Sequence, residues 1–179
     1  TSAKKRCAST GELKNKPLRA RPSANRFAGV WVSPDQASSM KLVYLGTPEM
    51  AVLPLQALHA SGHEIVLVVT RVDKKRGRGG ALSPSPVKAA AIELDLPISH
   101  DPNDVILAVE RDGAELGVVV AYGRMIRPNI LGVIPMVNAH FSLLPRWRGA
   151  APVERALLAG DSETGVCIMR LEEGLDTGG

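Results

Sequence analysis

From Met40 onward, short β-branched runs alternate with segments of helical period, and that alternation leaves few folds open. Lys41–Leu45 (KLVYL), His63–Thr70, Pro97–Ser99, Gly117–Ala121 (GVVVA), Met136–Phe141 and Gly165–Leu171 read as strands. Glu49–Ala60, Pro86–Leu94, Asn103–Arg111 and Ala150–Ala159 read as helices between them. Strands that trade places with helices in this way build an α/β fold, a Rossmann-like, doubly wound and mostly parallel sheet. GVVVA is apolar throughout, as a central strand covered on both faces must be. In the first helix the spacing of Met50, Leu53 and Leu58 predicts the buried stripe and Gly62 the stop, while Pro54 should kink it or push its start later. Pro86 suits a first helical turn, and Asn103 is an expected N-cap. Gly46 ends a strand before a helix, but no GxGxxG follows, which disfavours a dinucleotide site.

Residues 1–39 stand outside the pattern. They carry eight Lys or Arg against two acids, a balance of +6, whereas residues 40–179 carry fourteen against sixteen, a balance of −2. The net charge of +4 is therefore a property of this leader, and any basic surface on the remainder must be local. Rich in Ser, Arg, Lys and Pro, with no apolar period, residues 1–39 are expected to be a disordered or non-native leader to a domain spanning 40–179. A transit peptide is the alternative, which would direct the chain to a mitochondrion or plastid instead of the cytoplasm. No apolar run approaches the roughly 20 residues of a membrane span. Cys7 and Cys167 lie far apart with no CxxC spacing, which speaks against a disulfide framework or a structural zinc site.

In such sheets ligands bind beyond the carboxyl ends of the strands, and three polar clusters fall there. The densest is Asn138-Ala-His140-Phe-Ser142-Leu-Leu-Pro145-Arg-Trp-Arg148-Gly149. Two residues apart on an extended segment, Asn138 and His140 share a face. An amide donor beside an imidazole suits acyl transfer, the one steadying an oxyanion and the other exchanging a proton. A structural histidine at a strand end is the plainer reading of that pair alone. Glu172 to Gly179 (EEGLDTGG) is an acidic loop with glycines around Asp176, which reads equally as a solvated turn. Arg71–Gly80 holds five Lys or Arg and three glycines, a flexible positive loop that suits phosphates or simply solvent.

Together NxHxSLLPxxRG (138–149), GDxxTGV (160–166) and GLDTG (174–178) resemble the 10-formyltetrahydrofolate-dependent formyltransferase family, over Met40 to Gly179. That resemblance implies a triad of Asn138, His140 and Asp176, with neither a metal nor a covalent enzyme nucleophile. It implies a 10-formyltetrahydrofolate site against Ser142, Leu143, Leu144 and Pro145, the pterin lined by Tyr122, Gly123, Met125 and Ile126. LGTPEMAV (45–52) and LSPSPVK (82–88) are similar to the branch that acts on initiator Met-tRNA. There the basic loop inserts at the acceptor arm, which implies tRNA contacts from Arg71, Lys74, Lys75, Arg76, Arg78 and Lys88. Val72 departs from the family's usual proline. Members that formylate sugar-nucleotide amines or hydrolyse formyltetrahydrofolate share the central motifs, and a non-catalytic folate- or RNA-binding module is a third option. The chain is expected to be a monomer with no membrane partner, and the resemblance implies that it is incomplete at its C-terminus.

Overall fold

Leu42, Val43, Tyr44 and Leu45 are each no more than 2% exposed. Successive strand residues face opposite ways, so four buried in a row demand cover on both faces of the sheet. In the computed structural model, which describes residues 38–76 and 80–174, they form β1 (Lys41–Gly46) near the middle of six strands. The others are β2 (Glu64–Val69), β5 (Ile98–Ser99), β6 (Leu116–Val120), β7 (Met136–His140) and β8 (Cys167–Arg170). A separate pair, β3 (Lys74–Arg76) and β4 (Ala81–Ser83), makes an antiparallel hairpin. The sheet order is β5-β2-β1-β6-β7-β8. All neighbours are parallel except β8, which runs antiparallel to β7. The fold is the expected Rossmann-like α/β sheet, closed at one edge by an antiparallel strand.

One face packs Leu42, Tyr44, Ile65, Val68 and Val120 against α1 (Val52–Ala60) and α2 (Pro86–Glu93). The other packs Val43, Leu45, Val69, Val119 and Met136 against α3 (Asp104–Leu107), its π-helical extension Ala108–Asp112, and α4 (Pro128–Leu131). A last helix, α5 (Pro152–Leu158), links β7 to β8. The strands leave β1 toward β5 on one side and resume at β6 on the other, so the direction of winding reverses between β1 and β6. Loops at the carboxyl ends of β1, β6 and β7 therefore border one crevice. Among the described residues no helix is long and apolar enough to cross a membrane.

Several local expectations need correction. A 3-10 turn, Glu49–Ala51, precedes α1, and the helix proper starts at Val52, which leaves Pro54 in the first turn where its missing N–H is harmless. That turn rotates the helix relative to the expected stripe. Ala51 and Leu55 are fully buried, while Leu53 is 74% exposed and Met50 also faces out. Asn103 occupies the N-cap of α3, but its own backbone is helical and its side chain caps nothing. Asp101 does the work instead, its Oδ1 accepting from the Asn103 backbone N–H at 2.9 Å and from its amide at 2.8 Å. The basic loop is not wholly irregular either, since Lys74, Lys75 and Arg76 pair in register with Ser83, Leu82 and Ala81.

Candidate active site

β7 delivers the two chemical side chains. Met136 belongs to the core on one face of the sheet and Ala139 to that on the other, so strand alternation puts Asn138 and His140 on the Met136 side. Asn138 is half-buried, flanked across the sheet by Val119 and Met169. His140, 6% exposed, ends the strand opposite Cys167. Its Nε2 lies 2.9 Å from the main-chain oxygen of Trp147. A carbonyl oxygen only accepts, so in this pair Nε2 is the donor.

The chain after β7 doubles back in a tight turn. The Ser142 N–H donates to the His140 carbonyl at 2.9 Å, and its hydroxyl donates to the Arg146 carbonyl at 2.6 Å. Ser142 is fully buried. Its side chain thus closes the turn and presents nothing to a ligand, contrary to the sequence-based expectation. Leu143 and Pro145 are exposed and Leu144 half-buried, so the apolar part of the expected folate wall stands open. Gly165, from the GDxxTGV segment, packs beneath it; a Cβ there would meet Leu143 Cδ2 at 2.6 Å. Cys167 is half-buried, and its sulfur accepts from the Leu144 N–H at 3.4 Å.

Beyond the turn, Trp147 adopts a left-handed backbone (φ +60°), as does Ala151 (φ +59°) at the start of α5. Non-glycine residues in that region cost on the order of 1–3 kcal/mol and persist where surrounding contacts fix them. For Trp147 the contacts are explicit. Its indole Nε1 donates to Asp161 Oδ2 at 2.7 Å, and the Arg146 guanidinium sits 4.8 Å from the ring centre. Arg146 also grips Asp161 with two bonds, Nε to Oδ2 at 2.9 Å and Nη2 to Oδ1 at 2.6 Å. The indole hydrogen bond, then Arg146, hold the Asp161 carboxyl below its usual range.

The loop after β6 forms the other wall. Ala121, at φ +46°, turns the chain out of the sheet, and the Thr47 hydroxyl donates to the Tyr122 carbonyl at 3.0 Å. Tyr122 itself, 2% exposed, lies in the core with Val69, Val119 and Ile130. Its ring supports the loop from beneath and is not an open pocket wall, a second departure from expectation. Burial raises its pKa against the pull of Arg124. Gly123 and Met125 are exposed and Ile126 half-buried, so these remain accessible.

At the carboxyl end of β2, Thr47, Arg71, Val72, Lys74, Ser83 and Ser85 line a small cavity of about 100 Å³. Lys74 and Lys75 are exposed, and Arg71 is half-buried. Lys88 is not available as expected: its ammonium lies 2.8 Å from both carboxylate oxygens of Asp73. The pair ties the root of the hairpin to α2, whose N-terminus Ser85 caps by accepting from the Lys88 N–H at 3.0 Å. Arg78 and Asp176 lie outside the described residues, and Arg76 is placed through its backbone in β3 alone. A larger groove, about 600 Å³, opens at the amino ends of β1 and β2 and holds none of the expected site residues.

Residues 40–179 match the formyl transferase family model. The chain belongs to the formyl transferase family. It is 49% identical over 144 residues to a methionyl-tRNA formyltransferase of Heliobacterium modesticaldum, covering 78% of this chain and 46% of that protein. The methionyl-tRNA formyltransferase of Dechloromonas aromatica is 51% identical over 146 residues, covering 78% and 47%. The chain thus spans about half the length of the curated relatives it matches. Among solved structures, phosphoribosylglycinamide formyltransferase from Bacillus halodurans superposes with a TM-score of 0.60 at 24% identity, over 77% of this chain and 75% of that one. A formyltetrahydrofolate deformylase from Pseudomonas syringae gives 0.58 at 21%, over 79% and 49%. These structures share the fold.

Within this formyl transferase chain, the structure brings Asn138, His140 and the exposed Leu143-to-Pro145 turn to one strand end, with the hairpin at another strand's carboxyl end. Sequence reasoning quoted Trp147 and Asp161 inside its motifs yet gave neither a role. The visible clue was a buried-type aromatic beside an arginine, followed by an acid at the end of the next helix.

Proposed function

We propose that the protein transfers the formyl group of 10-formyltetrahydrofolate to the amino group of methionine on initiator Met-tRNA. The observation that carries this reading is the Asn138–His140 pair on one face at the carboxyl end of β7, in a chain about half identical to proteins named methionyl-tRNA formyltransferase. The exposed apolar side chains of Leu143, Pro145 and Met125 fit the flat faces of a pterin, and nearby main-chain groups fit its polar edge. Ile126, Leu144 and Gly123 complete that wall. Bound there, the folate supplies the formyl carbon.

The methionine amine forms a bond to that carbon while its bond to N10 breaks. Negative charge develops on the formyl oxygen, where the Asn138 amide and the charged His140 ring act as donors. The ring's Nε2 contact with the Trp147 carbonyl holds it in place at the strand end. The amine's proton finally resides on N10. Asp176, on the GLDTG loop, is assigned the task of favouring the imidazolium by its charge. Arg71, Lys74, Lys75, Arg76 and Arg78 are assigned to the phosphates of the acceptor arm. Such work belongs to a compartment where translation begins, the cytoplasm.

Formyl transfer to Met-tRNA, assayed with His140→Ala and Asn138→Ala, tests the reading. Each loss should lower kcat by about 10²–10³, the usual effect of removing one oxyanion donor. Near-native turnover in both, or activity confined to a sugar-nucleotide amine or to water, would overturn it.

A further inference from the structure

The basic hairpin has two faces, and strand alternation divides its charges between them. Lys74 stands opposite Ser83, and Lys75 opposite Leu82. Residues directly opposite in an antiparallel pair share a face. Lys74 and Ser83 both line the cavity of about 100 Å³, whereas Lys75 and Leu82 do not, and Leu82 is 69% exposed. Thr47, just past β1, Arg71, just past β2, and Ser85, the N-cap of α2, join them in the lining together with Val72. Arg71 leans across the carboxyl edge: its Nη1 lies 3.7 Å from the point where a Cβ on Gly123, in the loop after β6, would stand. The hydroxyls of Thr47 and Ser85 are committed, to the Tyr122 carbonyl and from the Lys88 N–H, and keep the cavity in shape. Ser83 has only a long contact, 3.5 Å, from its hydroxyl to the Pro84 carbonyl. Asp73 is neutralised by Lys88, so the cavity's own charge is that of Arg71 and Lys74.

We propose that this cavity binds a single phosphate group, the one on the 5′ side of the acceptor's terminal adenosine, between Arg71 and Lys74 with the Ser83 hydroxyl as a further donor. The inference rests on the reading of Met-tRNA as the acceptor and narrows it to one subsite. Size argues for a phosphate, since about 100 Å³ falls well short of the roughly 300 Å³ at which pockets for whole small molecules begin. Charge argues the same way. Arg71 offers a planar fork of donors and Lys74 a point charge, and the amino end of α2 adds potential of the same sign. Place argues for the end of the acceptor and not its stem. In the order β2-β1-β6-β7 the cavity stands two to three strand spacings from the Asn138–His140 pair, roughly 10–14 Å. That is too far for the methionyl ester itself, and suits the sugar–phosphate chain immediately behind it. Lys75, on the outer face, adds only long-range attraction.

The test uses the full chain with 10-formyltetrahydrofolate and two minimal acceptors, 3′-O-methionyl-adenosine and the same ester carrying a 5′-phosphate. The quantity read is the ratio of their kcat/KM values, in which a general loss of activity in a variant cancels. In the native protein the phosphate should raise kcat/KM by about ten- to a hundred-fold, the usual effect of a hydrogen bond to a charged group. Arg71→Ala and Lys74→Ala should each bring the ratio close to one. Lys75→Ala should keep the native ratio, even though whole Met-tRNA is held less tightly. Inorganic phosphate should compete with the phosphorylated ester and lose that effect in Arg71→Ala. A ratio near one in the native protein, or a native ratio in both Arg71→Ala and Lys74→Ala, overturns the inference. So does an equal fall in Lys75→Ala, the result that diffuse charge on a solvated loop would give. Inhibition by inorganic phosphate with no preference between the esters also overturns it, because the cavity would then take a free phosphate. Failure of the function reading looks different. Neither ester would be formylated, and calorimetric binding of 5′-AMP against adenosine, native against Arg71→Ala, would decide on the phosphate subsite without turnover.

Discussion

At the scale of single residues, the polar atoms that matter most are those paired with main-chain carbonyls. His140, Ser142 and Tyr44 all use a side chain to bind a backbone oxygen, of Trp147, Arg146 and Ala51 respectively. Tyr44 is the most telling for stability. Its ring is fully buried in the centre of the sheet, and its hydroxyl donates across to the residue that leads into α1. Burial pushes the phenol pKa well above the ordinary tyrosine range. A raised value means that the folded state holds the proton more tightly than the unfolded one. The stabilisation is therefore complete below the ordinary tyrosine pKa and is lost as pH rises beyond it. Thermal midpoints measured across the alkaline range should fall steeply above about pH 10. Tyr44→Phe cannot ionise, so its midpoint should start lower, for want of the hydrogen bond, yet decline more gently. Parallel curves for the two proteins would place the alkaline weakness elsewhere.

At the scale of elements, α3 offers a clean comparison, because the cap expected from sequence and the cap observed are different residues. Asp101→Ala removes the acceptor that serves both the Asn103 backbone and its amide. It should cost about 1 kcal/mol by urea titration, the usual loss of an N-cap. Asn103→Ala, which removes a side chain that caps nothing, should cost clearly less; the reverse order would restore Asn103 as the cap. The same contrast marks what the sequence made legible. Strand and helix positions were readable because apolar period and Pro/Gly punctuation report directly on burial. Pro86 and Gly62 fell where their backbones require. The stripe of α1 was misread because a 3-10 turn changes the angular phase, and Ala51 is too small to stand out in a hydrophobic pattern. The β3–β4 hairpin escaped because Lys74, Lys75 and Arg76 pair through their backbones and carry no apolar alternation. Asn138 and His140 were legible as a pair through a spacing of two. The Trp147 carbonyl was not, since a main-chain oxygen leaves no trace in residue identity.

At the scale of the whole molecule, the sheet sets the distance between chemistry and charge. The hairpin grows from β2 and the Asn138–His140 pair ends β7, three strands away in the order β2-β1-β6-β7. At about 4.8 Å per strand, the two are separated by roughly 14 Å along the carboxyl edge. A small amine acceptor cannot touch both, whereas a nucleic-acid end with its following phosphates can. The Lys88–Asp73 pair divides the local charge into an anchoring part and an available part, the latter at Lys74 and Lys75. Neutralising Lys74, Lys75, Arg76 and Arg78 together should therefore raise KM for Met-tRNA and flatten its dependence on salt. Each lost phosphate contact removes about 0.7–0.9 from the log–log slope, because fewer counterions are released on binding. A fall in kcat should accompany it, since a 3′ end held less firmly presents its amine to the formyl carbon less often. Folate affinity should stay within about two-fold, as none of the four substituted residues is assigned to the proposed pterin wall. Lys88→Ala should act differently, loosening the hairpin's root and raising KM with little change in salt slope, because the lost charge was already neutralised within the protein. Unchanged tRNA kinetics and an unchanged salt slope in the neutralised hairpin would remove the electrostatic reason for choosing tRNA as the acceptor, and leave the Asn138–His140 chemistry to be matched with a smaller amine.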